Sequence, residues 1–382
     1  MSRLVLSLGV AAVALTAGAA TPAFAQSKSK FDITIGGDAF FEAGITGQDR
    51  DSGLRATEFR NRLRLVVTPV AKADNGLEYG GRIRLVTDPS RSMVSDRAFM
   101  FVNGGFGTVS AGQQNGLSDE YAIIAPSDWG TGGVDGDMQA FLGGTGSNLP
   151  GTAGNLRTLV SGNVATRITY LTPKFSGFQF GVTYQPTTDS QNTDINRRKT
   201  AAPSGNLTGA YSDVYEVGGN YAGTFGDVSL GASLYYLGGT AKNSSTSTAT
   251  FENLSSTMAG LSVGYGGFKV GGSYAWSGKS GYAKRTTTLA ATSREAQNVW
   301  TLGGQYTVGA ITVGATYLNA QDAGSLTVAG KNQFQQYVVG AKYVIAPGLS
   351  VGGEYNYFKL NSDVAANKDK GNVVLFTTNL AF

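Results

Sequence analysis

In the stretch Glu58-Phe59-Arg60-Asn61-Arg62-Leu63-Arg64-Leu65-Val66-Val67, arginine takes every second position up to Arg64 and apolar side chains fill most of the gaps. On a helix this spacing would smear charge around the cylinder. On a strand, whose side chains alternate between two faces, it gives one cationic face and one largely apolar face. The run Leu77-Glu78-Tyr79-Gly80-Gly81-Arg82-Ile83-Arg84-Leu85 repeats the design. Two architectures accept such strands. A soluble sandwich would put the charges in water and the leucines in a core. A membrane barrel would put the arginines in a wet lumen and the leucines against lipid. The two runs alone do not choose between them.

The N-terminus narrows the choice. Arg3 precedes an apolar run from Leu4 to Ala17, and Ala23-Phe24-Ala25 stands before Gln26. This is the layout of a secretory signal peptide, so residues 1–25 are expected to direct export through the Sec pathway, with cleavage between Ala25 and Gln26. The run is short for a membrane anchor. Beyond it, no segment approaches the roughly 18 continuous apolar residues of a membrane helix. An exported chain of this kind is either soluble or crosses an outer membrane as strands.

Composition removes whole classes of chemistry. Among 382 residues there is no Cys and no His. Disulfides, thiolate metal sites and cysteine nucleophiles are therefore excluded, as are Ser-His triads and most zinc sites. Gly is 55, Pro is 9, and the aromatics are mostly Tyr and Phe. That mixture suits strands joined by tight turns. A net charge of +4 is small for this length and does not suggest a nucleic-acid partner.

Alternation begins at Phe31, with Ile33, Ile35, Ala39, Phe41, Ala43 and Ile45 on one face and Asp32, Thr34, Asp38, Glu42 and Thr46 on the other. Further alternating runs follow to the C-terminus, and their connections take turns between short and long polar. The pattern predicts roughly sixteen strands, most near the length a tilted membrane strand needs. Every short turn and both termini then fall on one side, a segregation that soluble sandwiches lack. Phe382 ends the last strand on the face of Leu380, Phe376 and Val374. A lipid-facing charge near mid-membrane costs about 2–4 kcal/mol, so Arg60, Arg62 and Arg64 together must point inward in such a barrel. Tyrosines such as Tyr79, Tyr265, Tyr306 and Tyr343 lie near strand ends, as an interfacial girdle requires.

With these features in hand, the segments Gly104-Gly105-Phe106-Gly107-Thr108-Val109-Ser110-Ala111-Gly112 and Ile168-Thr169-Tyr170-Leu171-Thr172-Pro173-Lys174-Phe175-Ser176-Gly177-Phe178 resemble general porins of Gram-negative bacteria, the alphaproteobacterial type above all. The terminal Phe382 resembles the assembly signal of outer-membrane barrels. The resemblance implies an all-β, sixteen-stranded antiparallel transmembrane barrel over residues 26–382, assembled as a homotrimer in the outer membrane. Lipid and lipopolysaccharide would surround it, and small hydrophilic solutes and ions would pass through it. It also implies that the third long loop folds into the lumen. That loop is here the segment from about 114 to 163, which carries Asp119, Glu120, Asp128, Asp135 and Asp137 around Trp129. The Pro-Glu-Phe-Gly-Gly motif of enterobacterial porin loops is absent.

The mechanism expected is passive diffusion through a water-filled constriction. Loop carboxylates would face Arg60, Arg62, Arg64, Arg82 and Arg84 on the wall, with Asp38 and Glu42 on the neighbouring strand. The bland reading of each charge is a solvated vestibule face. Rival functions are a substrate-specific channel, an adhesin, or a barrel enzyme using paired acids such as Asp119 with Glu120 or Asp135 with Asp137. Without His no nucleophile–base pair stands out, so no enzymatic activity is expected. No cofactor is expected; acidic loop positions could bind Ca²⁺, yet no ordered spacing supports it. Gly272 to Ser280 fails the phosphate-loop spacing. The acceptor-like Asn243-Ser244-Ser245 and Asn253-Leu254-Ser255 are not used for glycosylation by an ordinary outer-membrane protein.

Overall fold

The alternating runs pair with their neighbours in chain order, and the pairing closes on itself. The computed structural model describes residues 30–87, 92–201, 210–244, 250–284, 294–324 and 330–382; the leader and its Ala25–Gln26 junction lie outside them. The barrel strands are β1 (Asp32–Gln48), β2 (Thr57–Lys72), β3 (Glu78–Thr87), β4 (Met93–Gly104), β5 (Gly107–Gln114), β6 (Ala165–Leu171), β7 (Phe178–Thr187) and β8 (Tyr211–Phe225). They continue as β9 (Val228–Ala241), β10 (Leu254–Tyr265), β11 (Phe268–Gly278), β12 (Gln297–Val308), β13 (Ile311–Asp322), β14 (Asn332–Ala346), β15 (Leu349–Ser362) and β16 (Asp369–Ala381). Each is antiparallel to the next, and β16 pairs with β1 to complete a closed sixteen-strand barrel.

Closure is what lipid demands, because an open sheet edge would leave backbone groups with no partner in hydrocarbon. The last residue makes the seam. Gly37 donates its N–H to the Phe382 carbonyl at 2.8 Å, and Phe382 donates back to Gly37 at 3.1 Å. Connections at residues 105–106, 226–227, 266–267, 309–310 and 347–348 are tight turns at one end of the barrel. The long connections gather at the other end, as the alternation of loop lengths predicts.

Side-chain parity sorts the two faces. Phe59, Leu63, Ile83, Met100, Phe180, Leu261, Leu302, Val339 and Phe376 point outward and are exposed, forming an apolar belt. Aromatic rings line its margins. Phe268 packs on Tyr306 at 4.3 Å between centroids near the turns. Trp300, Tyr317, Tyr337 and Tyr357 form a continuous row farther along β12 to β15.

The lumen departs from the expectation of a uniformly wet interior. On the arc from β10 to β16, inward positions include Met258, Val299, Leu318, Phe334, Val338, Phe358 and Leu375, all buried. They are covered by Trp129, Val134, Met138, Leu142 and Leu156 of the segment between β5 and β6. These strands carry apolar residues on both faces, one for lipid and one for the loop. Burying five large loop side chains contributes on the order of 10 kcal/mol, which holds the loop to that half of the wall.

Replacing the outward Leu302 with Arg should destabilise the folded barrel by about 2–4 kcal/mol, read as a lower denaturant midpoint for refolding in lipid vesicles. An unchanged midpoint would place Leu302 away from lipid.

Candidate functional site: a charged constriction

Only part of the barrel's inner wall stays uncovered, and that part holds the arginines. After β5 the chain forms the short helix α1 (Leu117–Tyr121) against β8. It then follows the inner wall: Ile123 donates its N–H to Ser233 on β9, Ala125 to Thr301 on β12, and Thr131 to Glu354 on β15. At its far point Asp137 reaches Arg60 on β2 at 2.8 Å, and Phe141 lies over Gly44 on β1. The return path passes Asp369 on β16, Asn332 on β14, Gln321 on β13 and Ser256 on β10. The loop therefore lines the wall from β6 round to β1 and leaves β2 to β5 largely uncovered.

Two kinds of inner-wall residue make this docking feasible. Glycines stand where the loop comes closest: a Cβ on Gly314 would overlap the Trp129 indole, and one on Gly44 would overlap the Phe141 ring. Buried carboxylates satisfy loop backbone groups that water cannot reach. Glu216 on β8 accepts the N–H groups of Leu117 at 2.7 Å and Ser118 at 2.9 Å, together with the Thr158 hydroxyl at 3.1 Å. Glu354 accepts from Thr131 at 3.0 Å and Gly133 at 3.2 Å. Asp369 accepts from the Thr145 hydroxyl and from Gln48 at 3.1 Å. None of these three was singled out from the sequence. For Glu216 and Glu354 the signal was there, since an acid in mid-strand of a membrane barrel must face inward.

On the uncovered wall, Arg60, Arg62, Arg64, Arg82 and Arg84 all point into the lumen. Arg64 Nε donates to Asp38 at 2.7 Å and Arg62 reaches the same carboxylate at 3.3 Å. Both Arg60 and Arg62 lie over the inward ring of Phe40, at 5.4 and 4.6 Å from its centroid. Glu42 is buried, 3.6 Å from Arg60. A sixth arginine joins them: Arg97 on β4 shares Asp96 with Arg84, at 3.1 Å and 2.8 Å. Asp96 reaches them from a bulge opposite Arg84–Leu85. Neither Arg97 nor Asp96 was anticipated; Arg97 shares its face with Phe99 and Phe101 and so lacks the alternating-charge pattern of β2 and β3.

The loop acids divide. Asp137 meets the arginine wall in direct contact at Arg60, where the expectation was opposition across water. Glu120 lies 3.8 Å from Arg97, with its side chain about half-buried. Asp135 forms a two-pronged pair with Arg157 of the loop itself, at 3.1 and 3.2 Å. Asp135 is thus no partner of the wall arginines, and two further expected partners are elsewhere. Asp119 turns back to Asn115 inside the loop. Asp128 sits near the turn end of the opposite wall, 3.8 Å from Lys269 and bonded to Gln305. In both cases the loop's path round the wall, invisible in its sequence, sets the direction. Burial pushes the Asp119 and Glu120 carboxyls above their usual range, and for Glu120 the neighbouring Asp119 adds to the effect. Among the described residues no acidic cluster could hold a metal ion.

A closed barrel with an apolar belt, a charged lumen and a loop narrowing it is a membrane pore in architecture. The chain belongs to the Gram-negative porin family, whose sequence profile matches residues 10–363, and it is accordingly an outer-membrane protein. No curated protein sequence matches it. Among solved structures it is similar to a loop-deletion variant of OmpT, an outer membrane protein of Vibrio cholerae, at 15% identity and TM-score 0.59, over 92% of this chain and 99% of that one. It is also similar to an anion-selective porin from Comamonas acidovorans, at 15% identity and TM-score 0.58, over 92% and 100%. A Rhodopseudomonas blastica porin variant aligns at 18% identity and TM-score 0.56, over 92% and 100%. At such identities the likeness is one of fold.

Glu354→Ala would leave two loop N–H groups without an acceptor, at about 1–3 kcal/mol each. The expected result is faster proteolytic cleavage near Gly130–Gly133 in an otherwise intact folded barrel. Equal cleavage rates in variant and wild type would remove Glu354 from the role of anchor.

Proposed function

We propose that the chain forms a water-filled channel for passive diffusion of small hydrophilic solutes and ions, with selectivity set where the inner loop meets the arginine wall. The observation that carries this reading is the uncovered arc of Arg60, Arg62, Arg64, Arg82, Arg84 and Arg97 beside the loop edge. Fixed charges of both signs order the water between them, so polar solutes align and apolar ones are slowed. Six guanidinium groups stand against five contacting carboxylates, Asp38, Glu42, Asp96, Glu120 and Asp137. The excess of one cation favours anions, as in the anion-selective Comamonas porin. By family, three copies assemble in the outer membrane after Sec-dependent export, with lipopolysaccharide around the long loops.

Passive diffusion is favoured over enzymatic chemistry by the state of the acids. Asp135 and Asp137 are each bound to an arginine, which suits electrostatics better than proton transfer.

Replacing Arg62 and Arg64 together with Ser leaves Asp38 uncompensated. The reversal potential in a salt gradient across a planar bilayer should move towards cations; an unchanged value would remove these arginines from the selective ring. Acidification should act the other way. A carboxyl with a raised pKa loses its charge at a higher pH than usual, so Glu120 neutralises over an interval of acidification that begins above the ordinary glutamate range. The chloride-to-potassium permeability ratio should rise over that interval in wild type and stay flatter in Glu120→Gln.

A further inference from the structure

Between α1 and the wall of β3 to β6 lies a cavity of about 380 Å³, large enough for a small organic molecule. Strand register builds it. Arg82 stands opposite Phe99, Gly80 opposite Phe101, and Phe101 opposite Ser110. A Cβ on Gly80 would strike the Pro69 carbonyl and crowd the tip of the Phe101 ring, so glycine there leaves room for the ring. The cavity thus has a cationic side and an apolar floor, which Leu117 of the loop and Leu171 complete.

A channel for inorganic ions alone gives no reason for that floor. Most aromatic side chains of this barrel are spent on the lipid face, yet Phe99 and Phe101 face the lumen. The cationic side is also incompletely neutralised. Arg84 and Arg97 share Asp96, but Arg82 makes no ion pair among the described residues. Arg97 Nε is buried and has only the longer approach of Glu120, at 3.8 Å. A single carboxylate, Glu120, stands at the rim.

Building on the channel reading above, we propose that this bay is a binding station for small aromatic carboxylates in transit. The carboxylate takes the free donors of Arg82, since guanidinium and carboxylate match as planar partners, and the paired Arg84 and Arg97 add their field. The ring packs on Phe99 and Phe101. Acetate offers the charge without the ring, and benzyl alcohol the ring without the charge, so each engages one side only. The station catches its solute weakly enough to release it, which raises local concentration without closing the pore.

The test uses full-length protein in planar bilayers, with benzoate, acetate or benzyl alcohol added at equal concentration to a potassium chloride bath. Benzoate should interrupt the chloride current at a concentration about fivefold below acetate, and benzyl alcohol should not interrupt it. Arg82→Gln should raise the benzoate half-block concentration at least about tenfold. Phe101→Leu should erase the preference for benzoate over acetate, with Phe99→Leu as the alternative if that variant does not fold. Saturation-transfer NMR on detergent-solubilised wild type gives a readout independent of current: transfer to benzoate ring protons is expected, and its absence overturns the station. Equal block by benzoate and acetate would overturn it too, while open channels would leave the pore itself standing. Failure to form any channel would sink both readings.

Discussion

A guanidinium group and an acyl chain cannot share a surface cheaply, and most of this molecule follows from keeping them apart. Strand alternation lets one segment satisfy both demands, with Arg60, Arg62 and Arg64 inward while Phe59 and Leu63 meet lipid. The same absence of water in the bilayer forces the sheet to close. The bonds between Gly37 and Phe382 are the local form of that requirement.

Closing sixteen strands leaves an interior too wide to be filled by wall side chains. The segment between β5 and β6 occupies it unevenly. Where the inner wall carries Leu318, Phe334, Phe358 and Leu375, the loop adheres through Trp129, Met138 and Leu142. Where it carries arginines, the loop stays clear, apart from the contacts of Asp137 with Arg60 and Glu120 with Arg97. The pore is therefore what remains after one half of the lumen has been packed like a soluble core. Glycines such as Gly44 and Gly314 bring the loop close, and Glu216, Glu354 and Asp369 satisfy its backbone. Stability and aperture are set by the same contacts.

This division also explains why charge and apolar surface meet beside the constriction. Phe99 and Phe101 lie on the arc that the loop leaves bare, with Leu117 at its edge. Side chains that elsewhere on the wall would be covered are here open to solutes. Arg82 and Arg97 stand next to them, so a boundary between packed and wet lumen becomes a surface with two chemistries.

Much of the barrel was legible in the chain because its signals are local. Alternation shows on every strand, loop lengths alternate along the sequence, and a charge in mid-strand reports its own direction through the cost of facing lipid. The arginines of β2 and β3 were readable on that ground, and Glu216 and Glu354 could have been. The course of the inner loop was not. Asp119, Asp128 and Asp137 look alike in sequence, yet one turns into the loop, one lies beside Lys269, and one grips Arg60. Their directions depend on which distant strands the loop touches, and no local rule carries that information. By itself the sequence determined that these strands must form a closed cylinder, greasy outside and charged within, because each residue's face is a matter of counting by two. Only the tertiary structure decided which half of the lumen is filled, since that depends on apolar side chains from strands far apart in the chain meeting one loop.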